Sequence, residues 1–556
     1  MSIPLGITAH VDTFARDNLP PKEQWPELLF ELPQFQYPDR LNCAAELLDR
    51  AVEGGDADRP VIHAPDGAGR RIITYRQLLT LANQVAQVLK DDLGLVPGNR
   101  VLLRSPNSPM LAACILAVWK AGGIAVPTMS LLRAKELRQV IDKAKVDFAL
   151  CDIRLGEELE AAAQSSKCLK RVLYFGNGGG PGSLEAMLGA KSTRFSNVDT
   201  AADDVALIAF TSGTTGLPKA AMHFHRNVLA MCDSWPRSIL KPGPNDIFCG
   251  TPPLAFTYGL GVMLCTPMRF RASTVLVEKL TPAGLLQTIQ DYRCTYSATV
   301  PTFYRQMAPL AAKFDISSLR IAISSGEALA DPTRTLFREA SGIELIDGLG
   351  STEMIVTFIS HTPERVRRGA TGYVIPGYQA AVLDAAGKVC PQNVIGRLAV
   401  KGPSGCLYLA DERQTQYVQC GWNLTGDAYL MDEDGYLYFQ GRTDDMIVSA
   451  GYNISGVEVE ATLLSHEAVA ECGVVGIADD ERGQMVSAFV VLKPGCAAGE
   501  QMVTALQDFV KASIAPYKYP RRVEFVETLP RTETGKLQRF KLRGLGPVGA
   551  GAETES

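Results

Sequence analysis

The 556-residue sequence has no long uninterrupted apolar run. Its most membrane-like window, LAACILAVWKAGGIAVP, is broken by Lys120, Gly122, Gly123 and Pro127, so it is too short and too interrupted to span a bilayer. The opening stretch, MSIPLGITAHVDTFARDNLPP, lacks the apolar centre of a signal peptide. Clustered positive charge is also missing: the net charge is −5 and no Lys/Arg run is present, which excludes a nucleic-acid or membrane-surface binder of the electrostatic kind. The 13 cysteines stand singly, without a C-x-x-C pair or Cys/His ligand spacing. They read as reduced core thiols of a cytoplasmic protein.

What is present is an ordinary globular composition, 46% apolar and 21% charged, in a chain too long for one core. Residues 1 to about 40 are Pro-rich and irregular. NCAAELLDRAVE reads as a helix. RRIITYRQLLTLANQVAQVLKDDL reads as a strand and an amphipathic helix opened by Thr74. NRVLLRS, PMLAACILAVWKAGG and IAVPT continue as strand, helix and strand, and this rhythm runs to about residue 330. It predicts mostly parallel sheets with helices on their faces. Glycine-dense GNGGGPG fits no dinucleotide fingerprint and reads as a plain loop. Beyond about 370, YQAAVLDAAGKV, GRLAVKG and GYLYFQGR predict a smaller β-rich subdomain. From about 445 a compact α+β segment of roughly 100 residues is expected, a size typical of one domain. The tail GPVGAGAETES has the composition of a disordered segment.

The chemistry centres on TSGTTGLPK, residues 211–219, which follows the apolar VALIAF. Consecutive backbone N–H groups in a Gly-rich loop can cradle phosphate oxygens, Ser and Thr hydroxyls add donors, and Lys219 adds charge. It is not a Walker motif, because Gly216 is followed by Leu217, Pro218 and Lys219 rather than by Lys and Ser/Thr.

FTSGTTGLPKAAMHFHRNV resembles the phosphate-binding signature of the acyl-adenylate-forming enzymes. ILAVWKAGGIAVP, SSGEAL, DGLGSTE, TGD at 425–427, GRTDDMIVSAGYNISGVEVE and PRTETGKLQRFKL resemble further family stretches in the same order, over about residues 40 to 545. The resemblance implies an α/β fold. A large N-terminal domain (1–441) would hold two parallel-type αβαβα subdomains plus the β-rich subdomain. A hinge at 442–446, centred on Asp444, would lead to a small mobile α+β C-terminal domain (447–545), with 546–556 a disordered tail. It also implies the reaction: an acid carboxylate attacks the α-phosphorus of ATP and expels pyrophosphate. The substrate is then the nucleophile, which accounts for the lack of a recognisable Ser–His–Asp or Cys–His constellation.

By the same resemblance, Thr211, Ser212, Gly213, Thr214, Thr215, Gly216 and Lys219 hold the β- and γ-phosphates. Gly326, Glu327 and Ala328 lie against adenine, and Asp347 joins the nucleotide site. Thr352 approaches the α-phosphate, Glu353 helps hold Mg²⁺, Asp427 accepts from the ribose hydroxyls and Arg442 contacts nucleotide oxygens. Lys536 is the catalytic cation, bridging carboxylate and α-phosphate. After the small domain turns, Gly451 and Tyr452 would line a tunnel for the pantetheine arm of coenzyme A.

The acid pocket is expected from Phe256, Thr257, Tyr258, Gly259, Ser325, Gly348, Gly350 and Val356, whose aromatic members suit a flat ring. Acetyl-CoA synthetases carry Trp at the position matching Gly350, which argues against acetate. LAFTYGLG, STEM and RTETGKLQRFKLR resemble the benzoate-CoA and 2-aminobenzoate-CoA ligases. Two departures stand out. Val356 replaces a His common in benzoate-CoA ligases, and Phe256 stands where chlorobenzoate-type ligases have His. The expected reaction is activation of benzoate or a ring-substituted benzoate, 2-aminobenzoate first, with transfer to coenzyme A. A stand-alone enzyme loading a carrier protein, a medium-chain acyl-CoA synthetase and a nucleotide-binding protein that lost catalysis stay open as alternatives. Expected partners are ATP, Mg²⁺, coenzyme A and the aromatic acid, with a second copy and a downstream acyl-accepting enzyme as candidates. Neither nucleic acid nor membrane is expected.

Overall fold

The computed structural model describes the chain except residues 1–4, 67–68, 177, 212–217, 444, 450–451, 480, 532–536 and 545–556. Thr74 caps the helix Tyr75–Gln87 by a full capping box with Gln77, and Ser108 caps Pro109–Lys120. The second helix is buried on every side from Leu111 to Lys120, which is why its sequence resembles a membrane span. Its terminal Lys120 is fully buried, with Nζ 2.6 Å from both oxygens of Asp49. An ammonium in that position requires such a partner. Among the described residues no helix is long and apolar enough to cross a membrane.

The strand–helix rhythm resolves into two sheets. One runs Arg171–Phe175, Phe148–Asp152, Arg100–Arg104, Ile124–Thr128 and Val205–Thr211, all parallel, and closes with antiparallel Lys219–Phe224. The other holds a parallel run of Pro60–Asp66, Ser273–Val275, Ile247–Gly250, Tyr296–Thr299, Ile321–Ser325 and Leu345–Gly350. Strand Pro60–Asp66 lies between helices of the first half yet pairs with the second sheet, His63 opposite Val275.

The β-rich region is not a separate sheet. Thr357–Ser360 pairs antiparallel with Leu345–Gly350, and Gly372–Val374, Tyr436–Arg442, Trp422–Met431, Gly396–Lys401 and Gln379–Leu383 extend the same ladder. The large sheet ends its chain path at Arg442, and a new sheet begins at Ile447–Ser449. In that small sheet Val469–Asp479 and Gly483–Leu492 form a long hairpin, with Arg522–Phe525 parallel to its second strand. Helices Gly456–Leu464 and Glu500–Ser513 pack their apolar sides on it through Val459, Leu463, Leu506 and Val510.

Candidate active site

The strands on either side of the Gly-rich segment are antiparallel neighbours. Thr211 ends one strand, Lys219 begins the next, and the two are registered opposite each other. Ser212, Gly213, Thr214, Thr215 and Gly216 lie outside the described residues, as do Asp444, Gly451 and Lys536. The Thr211 hydroxyl is buried without a partner among the described residues. On the strand Lys219–Phe224, Lys219, Ala221 and His223 share one face by the two-residue strand period.

That face meets the segment after Gly350. Lys219 Nζ is 3.5 Å from Glu353 Oε1 and lies 5.2 Å over the Tyr408 ring and 5.8 Å from that of Tyr417. The Tyr408 hydroxyl donates to Glu353 Oε1 at 2.5 Å. Burial, then the Glu353 charge, raise the Tyr408 phenol far above its usual range, so it stays a donor. His223 Nε2 is 2.8 Å from the Thr352 carbonyl, which only an N–H can satisfy. Complete burial lowers the His223 pKa to about 4, so this imidazole is neutral and fixes the Thr352 backbone. A carboxylate and an ammonium thus face each other at the start of the strand Lys219–Phe224, backed by aromatic rings.

Asp427 and Arg442 lie on adjacent antiparallel strands, opposite in register. Arg442 Nη1 is 2.9 Å from Asp427 Oδ1 and donates to the Thr425 carbonyl at 3.1 Å. Gly426, at φ +77°, makes this possible: a Cβ there would sit 2.5 Å from Arg442 Nη2. Burial raises the Asp427 pKa, against the pull of Arg442.

Gly326 and Ala328 are exposed in the turn after Ile321–Ser325, while Ser325 Oγ donates to the Gly348 carbonyl at 3.3 Å. Glu327 accepts from Thr302 Oγ1 at 2.9 Å and lies 3.5 Å from Arg531 Nη1 of the small domain. Arg531, itself 2.8 Å from Glu471, immediately precedes the undescribed stretch that contains Lys536. Asp347 is buried beside Gly348, whose N–H it accepts at 2.9 Å, and loss of hydration pushes its pKa up to about 7. Its own N–H donates to His361 Nε2 at 3.1 Å.

The expected acid-pocket residues divide. Thr257, Tyr258 and Val356 line a narrow cavity of only about 20 Å³, the room of about one water molecule. Met231, Trp235, Pro236 and Val262 line it too, and the sequence reading did not single them out. Phe256 precedes the short helix Thr257–Leu260 and bonds Pro253 through its backbone N–H. Gly259 is set by its own loop, since a Cβ would stand 1.9 Å from the Pro253 carbonyl. Gly348 and Gly350 were expected to leave room for the acid. A Cβ at Gly348 would lie 2.8 Å from Thr357 Cγ2, and one at Gly350 2.8 Å from the Val356 carbonyl. The missing side chains therefore admit the neighbouring strand. Ile355 is left-handed, φ +61°, a conformation a β-branched residue pays to adopt, and it lines the cavity next to Val356. Tyr452 is exposed and stacks on Tyr517, ring centroids 4.5 Å apart.

Known proteins resemble this arrangement over nearly the whole chain. The AMP-binding enzyme family model matches residues 48–408, and the AMP-binding enzyme C-terminal domain model matches 458–536. A benzoate-CoA ligase of Thauera aromatica is 34% identical, over 92% of this chain and 97% of its own length. Human mitochondrial acyl-coenzyme A synthetase ACSM5 is 30% identical, over 91% of this chain and 90% of its own. Among solved structures, the anthranilate CoA ligase AuaEII with anthranoyl-AMP superposes with a TM-score of 0.87 at 32% identity, covering 92% of this chain and 98% of that one. A benzoate CoA ligase from Burkholderia xenovorans LB400 gives 0.82 at 31%, covering 90% and 100%. With these matches, the chain belongs to the AMP-binding enzyme family and is an acyl-adenylate-forming ligase.

Proposed function

We propose that the enzyme is an ATP-dependent aryl-CoA ligase that takes benzoate or a ring-substituted benzoate. The observation that carries this reading is the segment Thr352–Val356. Its Glu353 faces Lys219, while Ile355 and Val356 line the apolar cavity with Tyr258. One short stretch therefore joins the polar end, where phosphates belong, to an apolar slot of ring-compatible lining. The likeness to benzoate and anthranilate CoA ligases supports the aromatic assignment, and 2-aminobenzoate and benzoate are the first acids to test.

In the first step a carboxylate oxygen attacks the α-phosphorus, the bond to the bridging oxygen breaks, and pyrophosphate leaves. The Gly-rich segment and Lys219 hold the leaving group; Lys219 exchanges its contact with Glu353 for phosphate oxygens. Glu353, released from that contact and still oriented by Tyr408, fits a Mg²⁺ site, since one carboxylate plus phosphate oxygens is a usual set for that ion. Bound there, Mg²⁺ would neutralise charge on the triphosphate. The neutral His223 keeps the Thr352 backbone in place beside the α-phosphate. Asp427 accepts from the ribose hydroxyls, with Arg442 as its counter-charge. Lys536 comes from the small domain, whose Arg531 meets Glu327, and neutralises charge between the attacking carboxylate and the phosphate. In the second step the coenzyme A thiolate attacks the acyl carbonyl, AMP leaves, and a thioester forms. Rotation of the small domain about residues 442–446, with Asp444 as pivot, removes Lys536 and brings Gly451 and Tyr452 to the pantetheine arm.

The test is acid-dependent ATP–pyrophosphate exchange over benzoate, 2-aminobenzoate, hydroxybenzoates, cinnamate, hexanoate and acetate, with coenzyme A then added to the best acid. Preference for a benzoate with thioester product supports the reading. Exchange only with aliphatic acids replaces it by the second reading, an aliphatic acyl-CoA synthetase, which the likeness to ACSM5 and the aliphatic share of the cavity wall favour. Activity only with a phosphopantetheinyl protein would make the enzyme a carrier-loading one.

A further inference from the structure

The cavity next to Val356 is apolar in most of its lining, but two of its lining residues carry buried hydrogen-bonding groups without a partner among the described residues. Trp235 is 3% exposed, and its indole Nε1–H finds no partner among the described residues. The Tyr258 hydroxyl is likewise out of contact with solvent and without a partner. Burial raises its pKa well above the usual phenol value, so the proton stays on. Both residues line the same cavity, together with Met231, Pro236, Val262 and Val356. Buried polar groups in proteins are almost always satisfied, and each one left alone costs stability. An indole N–H can only donate, whereas a phenol both donates and accepts.

Resting on the aryl-CoA ligase reading, we infer that the natural acid carries an oxygen substituent on its ring, a hydroxyl or alkoxy group, which accepts from Trp235 Nε1–H and meets the Tyr258 hydroxyl. Unsubstituted benzoate leaves both groups unpaired. An aromatic amine is chiefly a donor, because its lone pair is delocalised into the ring. It suits the Tyr258 oxygen and leaves the indole unpaired. A ring hydroxyl offers lone pairs to the indole and a proton to Tyr258, and so ranks ahead of an amino group. Val356 agrees with this assignment: with an aliphatic residue there, the unpartnered polar groups of the lining are Trp235 and Tyr258, although Thr257, Thr266 and Thr357 also line the cavity.

The experiment measures kcat/KM for acid-dependent pyrophosphate exchange with the whole enzyme. The acids are the three hydroxybenzoates and three methoxybenzoates, the matching methylbenzoates, which have similar size without an acceptor, 2-aminobenzoate and benzoate. The expected result is a ratio of oxygen- to methyl-substituted acid of about tenfold or more at the best ring position, since one unpaired buried donor has that order of cost. Trp235→Phe keeps an aromatic wall without the N–H and should bring the ratio toward one; Tyr258→Phe should lower it independently, which keeps the inference testable if either variant folds poorly. A ratio near one in the unaltered enzyme overturns the inference, as does a ratio that neither variant changes. Exchange with benzoates but no sensitivity to oxygen sinks this inference alone. No exchange with any benzoate sinks the aryl reading and this inference with it.

Discussion

The two ends of the site are built differently. At the nucleotide end, most charged groups meet partners already in place: Lys219 and Tyr408 on Glu353, Arg442 on Asp427, and Thr302 on Glu327. At the proposed acid end the walls are mostly aliphatic and aromatic, with Thr257, Thr266 and Thr357 among them, and the Trp235 indole N–H and Tyr258 hydroxyl have no partner among the described residues. A nucleotide is a constant ligand, so most of its charged contacts can be preorganised by the protein. In the inference above, the acid end leaves hydrogen bonds open for its ligand to complete, and specificity would follow from the cost of leaving them open.

The contrast is broken most severely by removing the small-domain cation. Lys536→Ala should lower acid-dependent adenylation on the order of 10²–10³-fold, as expected for losing one preorganised charge contact in the transition state. Thioester formation from supplied acyl-adenylate should survive, because the proposed mechanism does not use the lysine in that half-reaction. Separate assays of the two half-reactions check this, and equal loss in both would remove Lys536 from its role.

Next in size is the brace on Glu353. Glu353→Gln removes the charge and should cost about 10²-fold in kcat, comparable with loss of one oriented electrostatic group. Tyr408→Phe removes only the hydroxyl that orients it, and should cost about tenfold, the worth of one charge-assisted hydrogen bond. A metal titration distinguishes the two: Tyr408→Phe should be partly rescued by raised Mg²⁺, and Glu353→Gln should not. Equal effects would mean that Tyr408 does more than position the carboxylate.

A third prediction concerns Asp347, where burial opposes charge within the nucleotide end itself. Its pKa is about 7 in the folded chain, against an ordinary 3.8, with desolvation the main cause and Arg334 acting the other way. Between those values the folded state holds the proton more tightly than the unfolded one, so stability falls as pH rises from about 4 to 7. Asp347→Asn should remove that slope. The variant should gain on the parent at pH 8 relative to pH 5 by a few kcal/mol at most. Urea midpoints at the two pH values measure it, and a difference with the opposite sign would show that the carboxylate is held charged.

The sequence marked the residues proposed for the nucleotide end, because backbone loop chemistry is local. A Gly-rich segment, the TGD of strand Trp422–Met431 and Glu353 need only their neighbours to be recognised. Lys219 and His223, four apart on one strand, were a readable pair by the strand period, but the His was not taken up. Tyr408 was beyond reach, since it meets Glu353 from 55 residues away through a bridge to Ala221. Trp235 and Met231 were missed for a related reason: apolar helical residues read as core, and only packing shows which core faces a cavity. The alternation of strands and helices was legible. The pairing of strand 60–66 with strand 273–275 was not, because sheet membership depends on contacts across some 200 residues.

The smallest expected effect sharpens the comparison at the point where the two ends join. Ile355 separates Glu353 from Val356 by a left-handed turn, φ +61°, that aims the carboxylate one way and the hydrophobic wall the other. A left-handed L-residue costs roughly 1–2 kcal/mol, and glycine adopts the conformation without a Cβ penalty. At an ordinary position alanine is more stabilising than glycine. Here the order should reverse: Ile355→Gly should be more stable than Ile355→Ala by about 1 kcal/mol, although both lose the buried side chain. Differential urea unfolding of the two variants measures it. Alanine at least as stable as glycine would mean that the turn relaxes once the isoleucine is gone, and that packing of its side chain, rather than the backbone path between strands, holds Glu353 and Val356 apart.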